Sequence, residues 1–246
     1  MTPIVKICGL STAPTLDAAL DAGADMVGFV FFPKSPRHID WASARALGLR
    51  ARGHAKIVAL SVDADDDTLK RIIDALSPDL MQLHGQETPA RVKEIRELFA
   101  RPTMKAIGVA TREDLAQAEL YEGAADHLLI DAKPPKGAAL PGGNGRPFDW
   151  SLTREFRPSV PWLLSGGLDP DSVEAAIALS GTRGVDVSSG VESAPGVKDP
   201  ARIRTFVSAA RRAFALEQIA TPPHRAVVDA VVDRVAALSE RGYNRR

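Results

Sequence analysis

This chain has little that would tie it to a metal, a membrane or a disulfide framework. Cys8 is its only cysteine, so no internal disulfide can form. Its five histidines are scattered, and none forms the close pair on one helical face that a metal site needs. Neither sign of charge dominates. Lys+Arg and Asp+Glu both number 31, which removes a global pull toward nucleic acid or an anionic membrane while leaving room for a local basic pocket. Long hydrophobic runs are missing too: the most apolar stretch, Met26 to Phe32, is interrupted by Gly28 and is far too short to span a bilayer. The N-terminus runs into a strand without the basic segment and apolar core of a signal peptide, so a cytoplasmic location is expected.

What the chain does have is a repeating alternation of strand and helix. Ile4–Cys8 reads as a strand, Leu16–Ala22 as a helix ended by Gly23, and Asp25–Phe31 as a second strand. The unit recurs with helices at Ala42–Arg50, Asp66–Leu76, Pro89–Phe99, Arg112–Tyr121, Pro170–Leu179 and Pro200–Ala215. The intervening strands fall at Lys56–Val62, Asp79–Leu83, Thr103–Val109, Asp126–Asp131, Pro161–Leu164 and Gly184–Val187. About eight strands with helices between them predict a single parallel (β/α)8 barrel of the TIM type, a fold of about 250 residues. An open doubly wound sheet is the rival, but no GxGxxG turn follows the first strand. Two segments break the rhythm. Ala132 to Arg146 is rich in Gly and Pro and reads as a lid loop. After Glu217, Thr221-Pro222-Pro223 should stop the last barrel helix, and Ala226–Leu238 has helical apolar spacing. The expected organisation is a barrel over residues 1–216 and a C-terminal extension over 217–246 carrying an appended helix that packs outside the barrel or mediates association.

Strand alternation indicates where the polar side chains point. In the first strand Ile4, Lys6 and Cys8 share one face while Val5 and Ile7 share the other, so a lysine and the lone cysteine are aimed together toward the C-terminal rim. Gln82 and His84 share a face that should look toward the barrel axis, as do Leu129 and Asp131. Burying such groups without partners costs several kcal/mol, so Lys6, His84 and Asp131 must be mutually satisfied or held for chemistry. Later, Leu164-Ser165-Gly166-Gly167-Leu168 and Asp186-Val187-Ser188-Ser189-Gly190-Val191-Glu192 end consecutive strands. Glycine allows close backbone approach, serine adds hydroxyl donors, and a short helix near Ser189 would aim its positive end at the same point. That is where many barrels bind phosphate. Asp186 would repel a phosphate and is better suited to receive a ligand hydroxyl or orient backbone donors. Arg37, in the proline-stiffened Phe32-Pro33-Lys34-Ser35-Pro36-Arg37-His38 loop, suits a bidentate grip on a carboxylate. The expected ligand is a small molecule with a phosphate at one end and a carboxylate at the other.

Together, Lys6-Ile7-Cys8-Gly9, the loop from Phe32 to Arg37, Gln82-Leu83-His84-Gly85, Asp131, Pro141-Gly142-Gly143-Asn144-Gly145 and the two glycine-serine turns resemble phosphoribosylanthranilate isomerase of tryptophan biosynthesis. The resemblance covers residues 3–212. It implies a (β/α)8 barrel without metal or organic cofactor, acting as a monomer or homodimer on a phosphorylated small molecule by an Amadori rearrangement. It also implies Asp131 as general acid and Cys8 as general base, with Arg37 on the anthranilate carboxylate. Gly166, Gly167, Ser188 and Ser189 would hold the phosphate, with Lys6, His84, Gly142, Gly143, Asp186 and Gly190 also facing substrate. Lys6 should favour the Cys8 thiolate from a distance, since two residues along a strand span about 6.6 Å. Asp131 should need a raised pKa from burial or a nearby anion. Asn144 stands where threonine is common, and the extension is additional to the usual barrel. A histidine-pathway isomerase would place an aspartate where Cys8 stands and would grip two phosphates. A binder would need neither acid nor base, and a nucleophilic cysteine would need a clearer histidine-carboxylate constellation.

Overall fold

The structure is a computed structural model that describes residues 2–134, 137, 142 and 147–220. Gly143, Asn144 and the expected appended helix in 226–238 lie outside the described residues. In chain order the elements are β1 Ile4–Cys8, α1 Ala13–Asp21, β2 Met26–Phe31, α2 Trp41–Ala51, β3 Lys56–Ser61, α3 Asp66–Leu76, β4 Leu80–Leu83, α4 Pro89–Phe99 and β5 Thr103–Val109. Next come α5 Arg112–Ala116, β6 His127–Ala132, β7 Trp162–Leu164, α6 Val173–Ser180, β8 Gly184–Val187, β9 Glu192–Ala194, β10 Val197–Lys198 and α7 Pro200–Ala220. Strands β1 to β8 pair in sequence order and close into a barrel, β8 returning to β1 in parallel with Lys6 opposite Asp186. The expected (β/α)8 barrel is the fold observed. Among the described residues no helix is long and apolar enough to cross a membrane.

The helices form where local chemistry directs them. Asp65 caps α3 by accepting the Thr68 N–H at 2.9 Å, and Asp66 and Asp67 sit in the first turn, where carboxylates complement the helix dipole. Leu69, Ile72 and Leu76 then fall on one buried stripe. Thr88 caps α4, with Pro89 at its first position. The helix expected over Arg112–Tyr121 stays α-helical only to Ala116 and tightens into a 3-10 turn over Gln117–Tyr121, a common way to close a helix end. From that turn the Tyr121 hydroxyl donates to the Glu87 carbonyl at 2.9 Å. The helix expected from Pro170 begins at Val173 instead, because Asp169 accepts from the Asp171 and Ser172 amides and from the Ser172 hydroxyl, forming a turn that competes with helix.

Side chains pack in shells. Outward-facing residues such as Val5, Ile7, Val27, Phe29 and Ile57 form the core between sheet and helices. Inside the barrel, Met26, Val58, Leu80, Met104, Ala106, Leu129 and Leu163 fill one layer with Ile4 against it, and Cys8, Val30 and Leu60 form another. On β1 the alternation thus places Ile4, Lys6 and Cys8 inward, with Lys6 between two apolar layers. Leu69 is fully buried under α3, away from the rim. Leu69→Ala should lower unfolding free energy by roughly 2–5 kcal/mol, measured by urea denaturation, while KM stays unchanged.

Candidate active site

The inward end of β1 carries the first half of the site. Lys6 is fully buried, and its Nζ donates to Asp186 Oδ1 at 2.8 Å, an ion pair between register neighbours on β1 and β8. Burial alone would drive the Lys6 pKa down. Asp186 and Cys8 outweigh it and hold the ammonium above the ordinary lysine value. Lys6 and Cys8 share the inward face of β1, and each favours the charged form of the other. At Cys8 burial acts most strongly and pushes the thiol up; Lys6 and Lys198 oppose it, Asp186 adds to it, and the net shift is upward. The expected support from Lys6 is present, and desolvation exceeds it. Asp186 therefore serves as the Lys6 counter-ion, which explains a carboxylate so near a phosphate corner.

The second half lies at the ends of β4 and β6. Gln82, His84 and Asp131 turn inward as alternation requires, and they are linked. His84 Nε2 lies 3.3 Å from Asp131 Oδ2, and His84 Nδ1 lies 3.0 Å from Gln82 Nε2. Asp131 Oδ1 accepts the Ala132 N–H at 2.8 Å. Gln82 Oε1 is buried with no hydrogen-bond partner among the described residues. Rotating that amide by half a turn would let Oε1 accept from His84 Nδ1–H, freeing Nε2 to take a proton from a protonated Asp131. Gly142 lies directly over this pair, since a Cβ there would fall 2.7 Å from Asp131 Oδ2 and strike His84 Nε2.

The glycine-serine turns meet as expected. Gly166 has φ +84°, a left-handed conformation, and a Cβ there would sit 2.5 Å from the Ala132 amide, so the turn tucks tightly against the end of β6. Gly190, in the 3-10 turn Ser189–Val191, packs against the Leu168 carbonyl and brings the two turns into one corner with Gly167. The Gly166, Gly167, Ser189 and Gly190 amides have no hydrogen-bond partner among the described residues. Ser188 differs from the expected hydroxyl donor. Its Oγ donates to the Cys8 carbonyl at 3.1 Å and accepts from Lys198 Nζ at 3.1 Å, which uses its one hydrogen inside the protein.

Arg37 is buried and already grips a carboxylate, Nε donating to Glu192 Oε1 at 2.7 Å and Nη2 to Oε2 at 2.9 Å. Glu192 thereby fixes the guanidinium's orientation. Glu192 also accepts from Lys198 Nζ at 2.6 Å. Burial would raise the Glu192 carboxyl, but hydrogen bonds and charge from Arg37 and Lys198 bring it below the usual range. Lys198 was not singled out from the sequence, nor was the β9–β10 hairpin that carries it. The Pro195-Gly196 dipeptide between the two strands was the available signal. Among the described residues no cluster of three His, Cys, Asp or Glu could hold a metal.

Residues 5–209 match the family model described as N-(5'phosphoribosyl)anthranilate (PRA) isomerase. The chain is 59% identical over 213 residues to N-(5'-phosphoribosyl)anthranilate isomerase of Nitrobacter hamburgensis, covering 87% of this chain and 95% of that one. It is 57% identical over 211 residues to the enzyme of that name from Bradyrhizobium diazoefficiens, covering 86% and 95%. Among solved structures, phosphoribosyl anthranilate isomerase from Thermotoga maritima superposes with a TM-score of 0.77 at 34% identity over 86% of this chain and 99% of that one. A phosphoribosyl anthranilate isomerase in complex with reduced 1-(o-carboxyphenylamino)-1-deoxyribulose 5-phosphate gives a TM-score of 0.73 at 33% identity, with the same coverage.

A carboxyl with a lowered folded pKa contributes stability that is present above its unfolded pKa of about 4.3 and is lost as pH falls through the folded value. Glu192→Gln should cost about 3 kcal/mol at neutral pH, because it leaves two buried cations short of their anion. The gap from wild type should narrow below about pH 4, read as urea midpoints across pH.

Proposed function

The chain belongs to the N-(5'-phosphoribosyl)anthranilate isomerase family, and from that premise we propose how its own residues carry out the isomerisation. It is an isomerase of tryptophan biosynthesis that converts N-(5'-phosphoribosyl)anthranilate to 1-(2-carboxyphenylamino)-1-deoxyribulose 5-phosphate. The observation that carries the residue assignment is that Cys8 and Asp131, on β1 and β6, both turn inward at the C-terminal ends of their strands.

Asp131 is the general acid. It delivers a proton to the ribose ring oxygen as the C1'–O bond breaks, and the anthranilate nitrogen lone pair forms the iminium at C1'. Cys8, as thiolate, then removes the proton from C2', and those electrons neutralise the iminium to give an enolamine. Protonation at C1' and loss of the C2' hydroxyl proton yield the ketone. His84, 3.3 Å from Asp131 on one side and hydrogen-bonded to Gln82 on the other, holds the acid in place. Gly166, Gly167, Ser189 and Gly190 offer backbone N–H groups to the phosphate, and Ser188 uses its hydroxyl to fix that corner to β1 rather than to hold the phosphate. Arg37, aligned by Glu192, faces the anthranilate carboxylate, and Gly142 lies over Asp131. Every group named comes from one chain, so a monomer and a homodimer accommodate the same site. The balanced charge and phosphorylated small substrate fit a cytoplasmic enzyme without nucleic-acid partners.

Cys8→Ser and Asp131→Asn should each lower kcat by about 10²–10⁴-fold while retaining affinity for the reduced product analogue. The assay follows loss of anthranilate fluorescence from freshly generated substrate. A Cys8→Ser variant turning over near the wild-type rate would sink the base assignment. Because burial raises the Cys8 pKa and the base must be ionised, kcat/KM should climb with pH through neutrality, roughly tenfold per unit. Lys6→Met removes the strongest opposing charge and should move that limb to higher pH.

A further inference from the structure

Behind the rim, Arg37 and Glu192 are joined to Lys198, a buried cation to which the proposed steps give no part. Arg37, Glu192 and Lys198 have side-chain exposures of 8%, 4% and 1% and are joined by ion pairs of 2.7 and 2.6 Å. Lys198 Nζ makes two further bonds, to the Ser188 carbonyl at 2.9 Å and to the Ser188 hydroxyl at 3.1 Å, and that hydroxyl in turn holds the Cys8 carbonyl. This network closes around the residue after Cys8. A Cβ on Gly9 would fall 2.9 Å from Arg37 Cδ and 3.2 Å from Ser188 Oγ. The turn of the hairpin is anchored too, because Gly196 packs against the Pro36 carbonyl beside Arg37. One cation thus connects the end of β1, the end of β8 and the loop after β2.

We propose that Lys198 is a positioning residue for the isomerisation, fixing the Cys8–Gly9 backbone relative to Arg37 and placing a second positive charge behind the Cys8 thiol. The kinetic consequence rests on reading Cys8 as the base. The geometry that supports the charge argument is the chain of bonds from Lys198 through Ser188 to the Cys8 carbonyl. Around Cys8, β1 contributes Lys6, β8 contributes Asp186 and β10 contributes Lys198, while β2 and β3 present only apolar Val30 and Leu60. His84 and Asp131 stand at the ends of β4 and β6, and Arg37 and Glu192 lie behind Gly9 and Ser188. Asp186 is the counter-ion of Lys6, and together they leave little net charge near the thiol. Lys198 and Arg37 both pair with Glu192; burial pulls the Lys198 pKa below the ordinary lysine value while Glu192 opposes that pull, so Lys198 supplies its charge to the pocket below its own lowered pKa. Charge from Lys198 favours the thiolate accordingly.

The single cysteine makes the test direct, because the ultraviolet absorbance of the thiolate, taken as the difference from Cys8→Ser so that the two tyrosines cancel, reads Cys8 independent of turnover. Lys198→Met and Lys198→Gln should shift the thiolate titration upward by about one pH unit, roughly tenfold less thiolate at a given pH. The rising limb of kcat/KM should move with it. Lys198→Arg, which keeps the charge but changes the hydrogen bonds, should keep the wild-type titration and raise KM. An unshifted titration in either neutral variant overturns the proposal, and so does an equal shift in the arginine variant, which would mean shape rather than charge. Should neither neutral variant fold, Lys198→Arg decides alone: a displaced titration or an unchanged KM overturns it. A shifted thiolate titration in a protein whose Cys8→Ser variant still turns over would instead mean that the base assignment failed while the electrostatic role of Lys198 held.

Discussion

The ion pair between Lys6 and Asp186 is the constraint around which this barrel is arranged. Its two members are register partners on β1 and β8, the strands whose pairing closes the sheet, and Lys6 is buried completely inside. Such a pair is a weak source of stability, because the desolvation of two charges consumes most of their attraction and an apolar pair of similar volume often does as well. Its neighbours explain its presence. Lys6 is the cation that most strongly favours the Cys8 thiolate, and burial without Asp186 would push that ammonium toward neutrality. The carboxylate keeps the lysine charged, and the charged lysine makes a thiolate attainable in a desolvated pocket.

The rest of the rim repeats this logic of paired charge. Glu192 holds two nitrogens of the Arg37 guanidinium on its proline-stiffened loop, and Glu192 would be a costly buried anion without Arg37 and Lys198. Each pairing turns a long flexible side chain into a fixed point. The polar group left over on the opposite wall, Gln82 Oε1, lies beside His84, whose other ring nitrogen is 3.3 Å from Asp131. One wall of the pocket is therefore charged and rigid. The other holds hydrogen-bonding groups with a choice of donor and acceptor.

Local sequence carried a great deal of the architecture. The boundaries of α3, α4, β5 and β8 follow from caps, periodic apolar residues and β-branched runs, and the structure has them at the expected residues. Where expectation and structure part, a specific local competitor is responsible: the Asp169–Ser172 turn delays α6, and the closing 3-10 turn shortens α5. The hairpin of β9 and β10 was missed because two- and three-residue strands carry too few side chains to show a period. Only its Pro-Gly turn stands out, and that hairpin delivers Lys198.

Strand alternation is a property of consecutive residues, so the sequence by itself determined that Lys6 and Cys8 share a face, that His84 and Asp131 are aimed inward, and that glycine-rich turns end two successive strands. Partners were decided only by tertiary structure. Lys6 meets Asp186 across 180 positions and Arg37 meets Glu192 across 155. Ser188 turns its hydroxyl to the Cys8 carbonyl instead of outward. These contacts depend on the stagger at which the barrel closes and on how a late hairpin folds back over the rim. Both are set by packing summed over the whole sheet, and no local stretch of chain encodes them.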